Sequence, residues 1–130
     1  MINKTKVALV YPSYTEIFGR SEHRRFEIYA GQGKIPERPH VGMGFLSEAL
    51  SRNKIDHRYY DMNLLGSYAT LKRELKRYKP DVIGVTMVTP GYIRGYELIK
   101  QLKRDFKKSC LIAGGPHVTL KSESILKECK

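Results

Sequence analysis

Apolar residues along this chain fall into two rhythms that take turns. Short unbroken runs at Lys6-Val-Ala-Leu-Val-Tyr11, Asp81–Val88 and Cys110–Ala113 are bounded by turn residues and are too short for buried helices. They read as buried parallel strands. Between and after them the spacing becomes helical, with stripes at Met43, Leu46, Ala49 and Leu50, at Tyr68, Leu71, Leu75 and Tyr78, and at Tyr92, Ile99, Leu102 and Phe106. Ile55–Asp61 differs: it alternates and carries charge, which suits a strand at a sheet edge, with His57 on its exposed side. Pro12 stops the first strand, Asn63 to Ser67 turn the chain, Pro80 ends the second helix and Thr89-Pro90-Gly91 closes the third strand. Ser122, with Glu123 in the first turn, is placed to start a last helix through Ile125 and Leu126.

Strand and helix alternate four times. That pattern predicts an open, doubly wound parallel α/β sheet with helices on both faces. Right-handed crossovers and an edge-like second strand favour the order 2-1-3-4, with the topological switch between the first and third strands. The loops after the first, third and fourth strands then converge where ligands bind in such sheets. From Ser13 to Val41 there is no clean period, and Gly19, Gly31, Gly33, Pro36 and Pro39 interrupt any element. A loop this long is either an insertion or part of the site.

Composition narrows the class. With 130 residues, 41% hydrophobic and 28% charged, the chain suits one soluble domain. No run is long enough to span a bilayer and no signal peptide opens the sequence, so a cytoplasmic location is expected. Cys110 and Cys129 make neither a disulfide framework nor a Cys-x-x-Cys; Cys110 is expected buried and Cys129 at the surface. The net charge of +11 gathers most densely at Lys72, Arg73, Lys76, Arg77 and Lys79, on one helix with an apolar opposite face. A solvated helix face accounts for that cluster, and nucleic acid is not an expected partner. His23-Arg24-Arg25 offers a loop anion contact.

The converging loops supply Ser13, Tyr14, Thr15, Glu16, Thr86, Thr89 and His117, without a Ser-His-Asp arrangement, a phosphate-cradling loop or metal-ligand spacing. Gly42, Gly44 and Ser47, with Asp61, imitate a dinucleotide fingerprint, but no strand directly precedes them and the third glycine is absent. Small residues there are expected to let the helix sit close to the sheet. A phosphoacceptor receiver would need acids where Tyr11-Pro12 and Thr86-Met87 stand. Hydroxyls and backbone amides around a cleft suit holding a large ligand, and a cofactor-free interaction module is the second reading.

Three segments carry a resemblance: Pro39-His-Val-Gly-Met-Gly-Phe-Leu46, Lys79-Pro-Asp-Val-Ile-Gly-Val-Thr86 and Gly114-Gly-Pro-His-Val-Thr119. Together they resemble the N-terminal cobalamin-binding domain of cobalamin-dependent radical S-adenosylmethionine enzymes. Classical cobalamin domains have Asp-x-His-x-x-Gly after the first strand, Ser-x-Leu after the third and Gly-Gly after the fourth. Gly114-Gly115 matches the last, Thr86-Met87-Val88 stands in place of the second, and Tyr11-Pro12-Ser13-Tyr14 replaces the first without a histidine, as in the radical-enzyme branch. Asp61-Met-Asn-Leu-Leu-Gly66 mimics the missing spacing after the wrong strand and is read as coincidence.

The resemblance implies a flavodoxin-like fold whose fifth strand lies beyond this chain. It implies a domain without catalytic residues that holds cobalamin base-off, with no histidine on cobalt. The implied site is Ser13, Tyr14, Thr86, Val88, Thr89, Pro90, Gly91, Gly114, Gly115, Pro116, His117 and Val118. A downstream radical domain would supply S-adenosylmethionine, a 4Fe-4S cluster on Cys-x-x-x-Cys-x-x-Cys and a methyltransferase-like reaction; that triplet does not occur in this sequence. Gly115→Val is expected to stop ligand binding while leaving the fold largely intact. The apolar fourth strand is expected to pair with another copy or to be covered by the last helix.

Overall fold

The computed structural model describes residues 4–12 and 40–129. Strands β1 (Lys6–Tyr11), β2 (Asp56–Asp61), β3 (Val82–Thr86) and β4 (Cys110–Gly114) form one all-parallel sheet in the order β2-β1-β3-β4. Helix α1 (Val41–Arg52) crosses from β1 to β2, α3 (Tyr68–Tyr78) from β2 to β3, and α4 (Tyr92–Asp105) from β3 to β4. A short α2 (Met62–Leu65) precedes α3, and α5 (Pro116–Glu128) follows β4. The order is the one the edge-like second strand and right-handed crossovers require.

The two faces of the sheet are unequal. Ala8, Val10, Ile83 and Val85 point to one face and pack with Leu71 and Leu75 of α3, Ile99 and Leu102 of α4 and Ile125 of α5, all nearly free of solvent. This is the core. Gly95 brings α4 tight against it, since a Cβ there would stand 2.5 Å from the Met87 side chain. Val7, Leu9, Val82 and Ile112 alternate to the other face, where α1 is the covering helix. Among the described residues, no helix covers that face beside β4.

That asymmetry explains several departures from expectation. Cys110 is exposed, because it lies on the sheet's outer strand and shares the uncovered face with Ile112, itself 52% exposed. Leu46 and Ala49 on the apolar stripe of α1 are exposed for the same reason, while Met43 is buried. The last helix reaches the core through Ile125 and leaves Cys110 and Ile112 open. Tyr92 does not face inward; it is 39% exposed and stacks on His117 at 4.8 Å.

Other differences are local. The last helix begins at Pro116, not Ser122, and Lys121 breaks it with φ −133° and ψ 30°, so the expected start is its second segment. Small residues are not what seats α1, since nothing lies within 4 Å of where a Gly44 Cβ would stand. Ser47 instead reaches His57 at 2.7 Å, and His57 is half-buried, not exposed. Asp61 accepts from the Asn63 N–H to cap α2, and Gly66 closes that helix in the left-handed region, which gives the Asp61–Gly66 spacing a structural origin. No helix among the described residues is long and apolar enough to cross a membrane.

Candidate functional site

A cavity of about 410 Å³ lies between α1 and the sheet. It is within the size range of small-molecule sites, about 300–1,000 Å³. Val7, Leu9 and Gly84 form its floor, Ile112 and Gly114 its β4 side, and Met43, Leu46 and Leu50 its α1 wall. It runs from Val82 and Ile55 at the amino ends of the strands to Thr86, Gly114 and Gly115 at their carboxyl ends. The lining is almost wholly apolar, so the cavity favours a flat or greasy group over a charged one.

Glycine shapes it. Gly84 interrupts an apolar strand on the floor, and its missing side chain lowers the floor between Val82 and Thr86. Gly114 faces open space, with nothing within 4 Å of a Cβ position. Gly115 is different: its φ is +97°, and a Cβ would meet the Met87 carbonyl at 2.6 Å and Thr86 Oγ1 at 2.7 Å. Two backbone bonds hold this corner, Met87 N–H to Gly114 O (2.8 Å) and His117 N–H to Met87 O (3.2 Å). Gly115→Val is therefore strained at this corner, so the fold is not expected to tolerate it as readily as the sequence suggested.

Of the residues expected at the site, Thr86, Gly114 and Gly115 line the cavity, and Thr86 is buried. Ser13 and Tyr14, with Thr15 and Glu16, lie outside the described residues. Thr89–Gly91 form the 3₁₀ turn before α4, with Val88 leading into it, and Val88, Thr89 and Gly91 do not line the cavity; the Pro90 side chain lies outside the described residues. Pro116 is the exposed first residue of α5, and Val118 packs against the core. His117 is buried behind the corner, with Nε2 3.3 Å from Tyr96 Oη and Nδ1 3.3 Å from Thr89 Oγ1. It joins the two loops that converge here and does not reach into the cavity. The floor and the α1 wall were missed from sequence; the alternation of Val7, Leu9, Val82 and Gly84 to one face was the signal for them.

At the carboxyl ends of β1 and β2 stands a second group. The His40 ring lies 4.8 Å from that of Tyr11, and its Nδ1 accepts from the Met43 N–H at 3.2 Å, capping α1. Nδ1 is thus an acceptor, and the neutral ring carries its proton on Nε2. Burial pushes the Tyr59 hydroxyl up to about 12, with nearby Asp61 adding to it. His57 Nδ1 lies 3.0 Å from the Ile55 carbonyl, which can only accept, so Nε2 takes the Ser47 hydroxyl proton in its hydrogen bond. That pair fastens α1 to β2 and does not line the cavity. No group of His, Cys, Asp and Glu suited to a metal ion occurs among the described residues.

An open parallel sheet with an apolar cleft rising to its topological switch defines a flavodoxin-like ligand-binding module. The chain belongs to the B12 binding domain family, whose model matches residues 37–130, well over half of it. It is also similar to the uncharacterized methyltransferase PH0819 of Pyrococcus horikoshii, 29% identical over 63 residues, covering 48% of this chain and 14% of that protein. The chain thus spans a small part of that relative's length. No solved structure matches it significantly.

Proposed function

We propose that this domain holds cobalamin with its nucleotide tail laid in the α1–sheet cavity. The observation behind this reading is the apolar channel floored by Gly84 and closed at its head by Gly114 and Gly115, a cradle that a side chain at Gly114 would fill. The residues present fit the group: Leu9, Met43, Leu46, Leu50 and Ile112 offer flat apolar contact, and Thr86 is the hydroxyl at the upper end. When bound, cobalamin supplies a cobalt centre able to carry a methyl group.

Cobalt takes none of His40, His57 and His117 in our reading, and His23 lies outside the described residues. His40 spends its Nδ1 lone pair on α1 and carries a proton on Nε2, while His57 and His117 are engaged elsewhere. The domain serves a radical S-adenosylmethionine enzyme of methyltransferase type, and the 4Fe-4S cluster and S-adenosylmethionine belong to another domain. The open edge of β4, with Ile112 uncovered, is where that domain or another copy docks.

Hydroxocobalamin mixed with the purified chain should co-elute with it on gel filtration and change its visible spectrum. Electron paramagnetic resonance of the Co(II) complex should lack nitrogen splitting from a protein imidazole; such splitting overturns the histidine-off reading. Absence of co-elution returns the chain to a cofactor-free interaction module.

A further inference from the structure

Charge is concentrated on one side of this molecule. Residues 68–79 and 92–108, which make α3, α4 and the turns after them, hold eleven Lys and Arg against three Asp and Glu. That surplus of eight is most of the chain's net +11. Sequence shows two separate helices, and the fold makes them one surface. Tyr68 and Lys72 of α3 both meet Asp105 of α4, at 2.8 Å and 3.0 Å.

The three acids are already shared among cations. Glu74 lies between Arg73 (3.7 Å) and Arg77 (3.5 Å), Asp105 between Lys72 and Arg104, and Glu97 beside Arg94 at 2.8 Å. Lys76, Lys79, Lys100, Lys103, Lys107 and Lys108 are exposed and have no ion pair among the described residues. Like charges held this close repel one another, and an anionic partner relieves that.

The rest of the surface narrows the partner. A protein interface has an apolar or aromatic centre, a helix lying on a membrane needs an apolar outward face, and a single-strand platform stacks bases on aromatic rings. Among the described residues α3 has no large exposed hydrophobic side chain, and α4 has Tyr92 and Ile93 alone, in the first turn at the end away from Lys103 and Lys107. A duplex backbone needs cations and little else. With 14 residues α4 is about 21 Å long, the length of about six base pairs.

We propose that α3 and α4 form a docking face for duplex nucleic acid, gripped by its phosphates without reading its sequence. The face lies across the sheet from the cavity, so the two sites do not compete, and this proposal stands independently of the cofactor reading.

Fluorescence anisotropy with labelled 20-base-pair RNA and DNA duplexes tests it on the purified chain. Between 50 and 200 mM salt, log affinity should fall with log salt at a slope of about −4, since each neutralised phosphate contributes about −0.9. Lys100→Glu/Lys103→Glu/Lys107→Glu should weaken binding at least about tenfold and flatten the slope by about 2 to 3. Lys4→Glu/Lys54→Glu/Lys121→Glu makes the same change of net charge elsewhere on the chain and should stay within about threefold. Lys→Gln at the same three positions keeps the test decisive should the Glu variant melt early.

Equal loss in the control triple reduces the effect to net charge and overturns the proposal. So does salt-independent binding, or failure of both duplexes to bind at 50 mM salt. Capture of phosphatidylserine vesicles without duplex binding overturns it in favour of a lipid surface. Whichever of RNA and DNA binds more tightly names the preferred duplex form.

Discussion

Gly114 and Gly115 sit side by side at the head of β4 and would answer substitution in opposite ways, because one faces open space and the other faces backbone. Gly114→Leu fills the cavity and meets nothing within 4 Å at its Cβ. It should leave the thermal midpoint nearly unchanged while removing cobalamin co-elution. Gly115→Val puts a branched side chain at φ +97° against the Met87 carbonyl. Backbone strain alone costs about 1–3 kcal/mol there, so its melting temperature should drop clearly, with or without ligand. A Gly114→Leu protein that still binds cobalamin would move the site elsewhere. The sequence marked this pair as the centre of the expected site but could not separate the two glycines, since their difference is a φ angle and a neighbouring carbonyl. Nor could it place His117, whose imidazole turns behind the corner toward Tyr96.

At the level of elements, the stripes on α3 and α4 were legible because both helices bury most of one face, as Leu71, Leu75, Ile99 and Leu102 show, with Tyr92 the exception. The stripe on α1 was legible as a helix but not as a cavity wall, because apolar periodicity does not say whether the space opposite is filled. The α3–α4 junction makes its own prediction. Arg104, Lys72 and the Tyr68 hydroxyl all hold the Asp105 carboxylate, and its pKa lies well below the ordinary carboxylate value. A depressed folded-state pKa contributes stability that is fully present above about pH 4 and is lost as pH falls below it. Asp105→Asn should therefore be less stable than the parent at pH 7, with the gap closing toward pH 2 in urea titrations. A gap that stays constant with pH would show that the carboxylate's charge does not matter at this junction.

For the whole molecule, the buried core fills one face of the sheet and the cavity opens on the other. Leu75→Ala, on the core face where Leu75 is fully buried, should cost about 2–5 kcal/mol in chemical denaturation. Leu46→Ser, on the cavity face and 52% exposed, should cost under about 1 kcal/mol yet weaken cobalamin uptake. Comparable costs for the two would mean the faces are not divided in this way. The sheet order could be read in advance because charge marks β2 as an edge. The open surface beside β4 was foreseen only as an unpaired edge, since exposure of Cys110 and Ile112 depends on what covers a face, and no local pattern in the chain encodes that.

The sheet order also sets a timetable for synthesis. β1 is made first and ends between β2 and β3, pairing Lys6 with Asp56 and Val7 with Val82. Its second partner emerges 75 residues later, and at about 5–20 residues per second that is a wait of about 4–15 s. Until then Ala8, Leu9 and Val10 lack their β3 neighbour, so the segment that finishes at the centre of the sheet is the one a ribosome-bound chaperone has longest to hold.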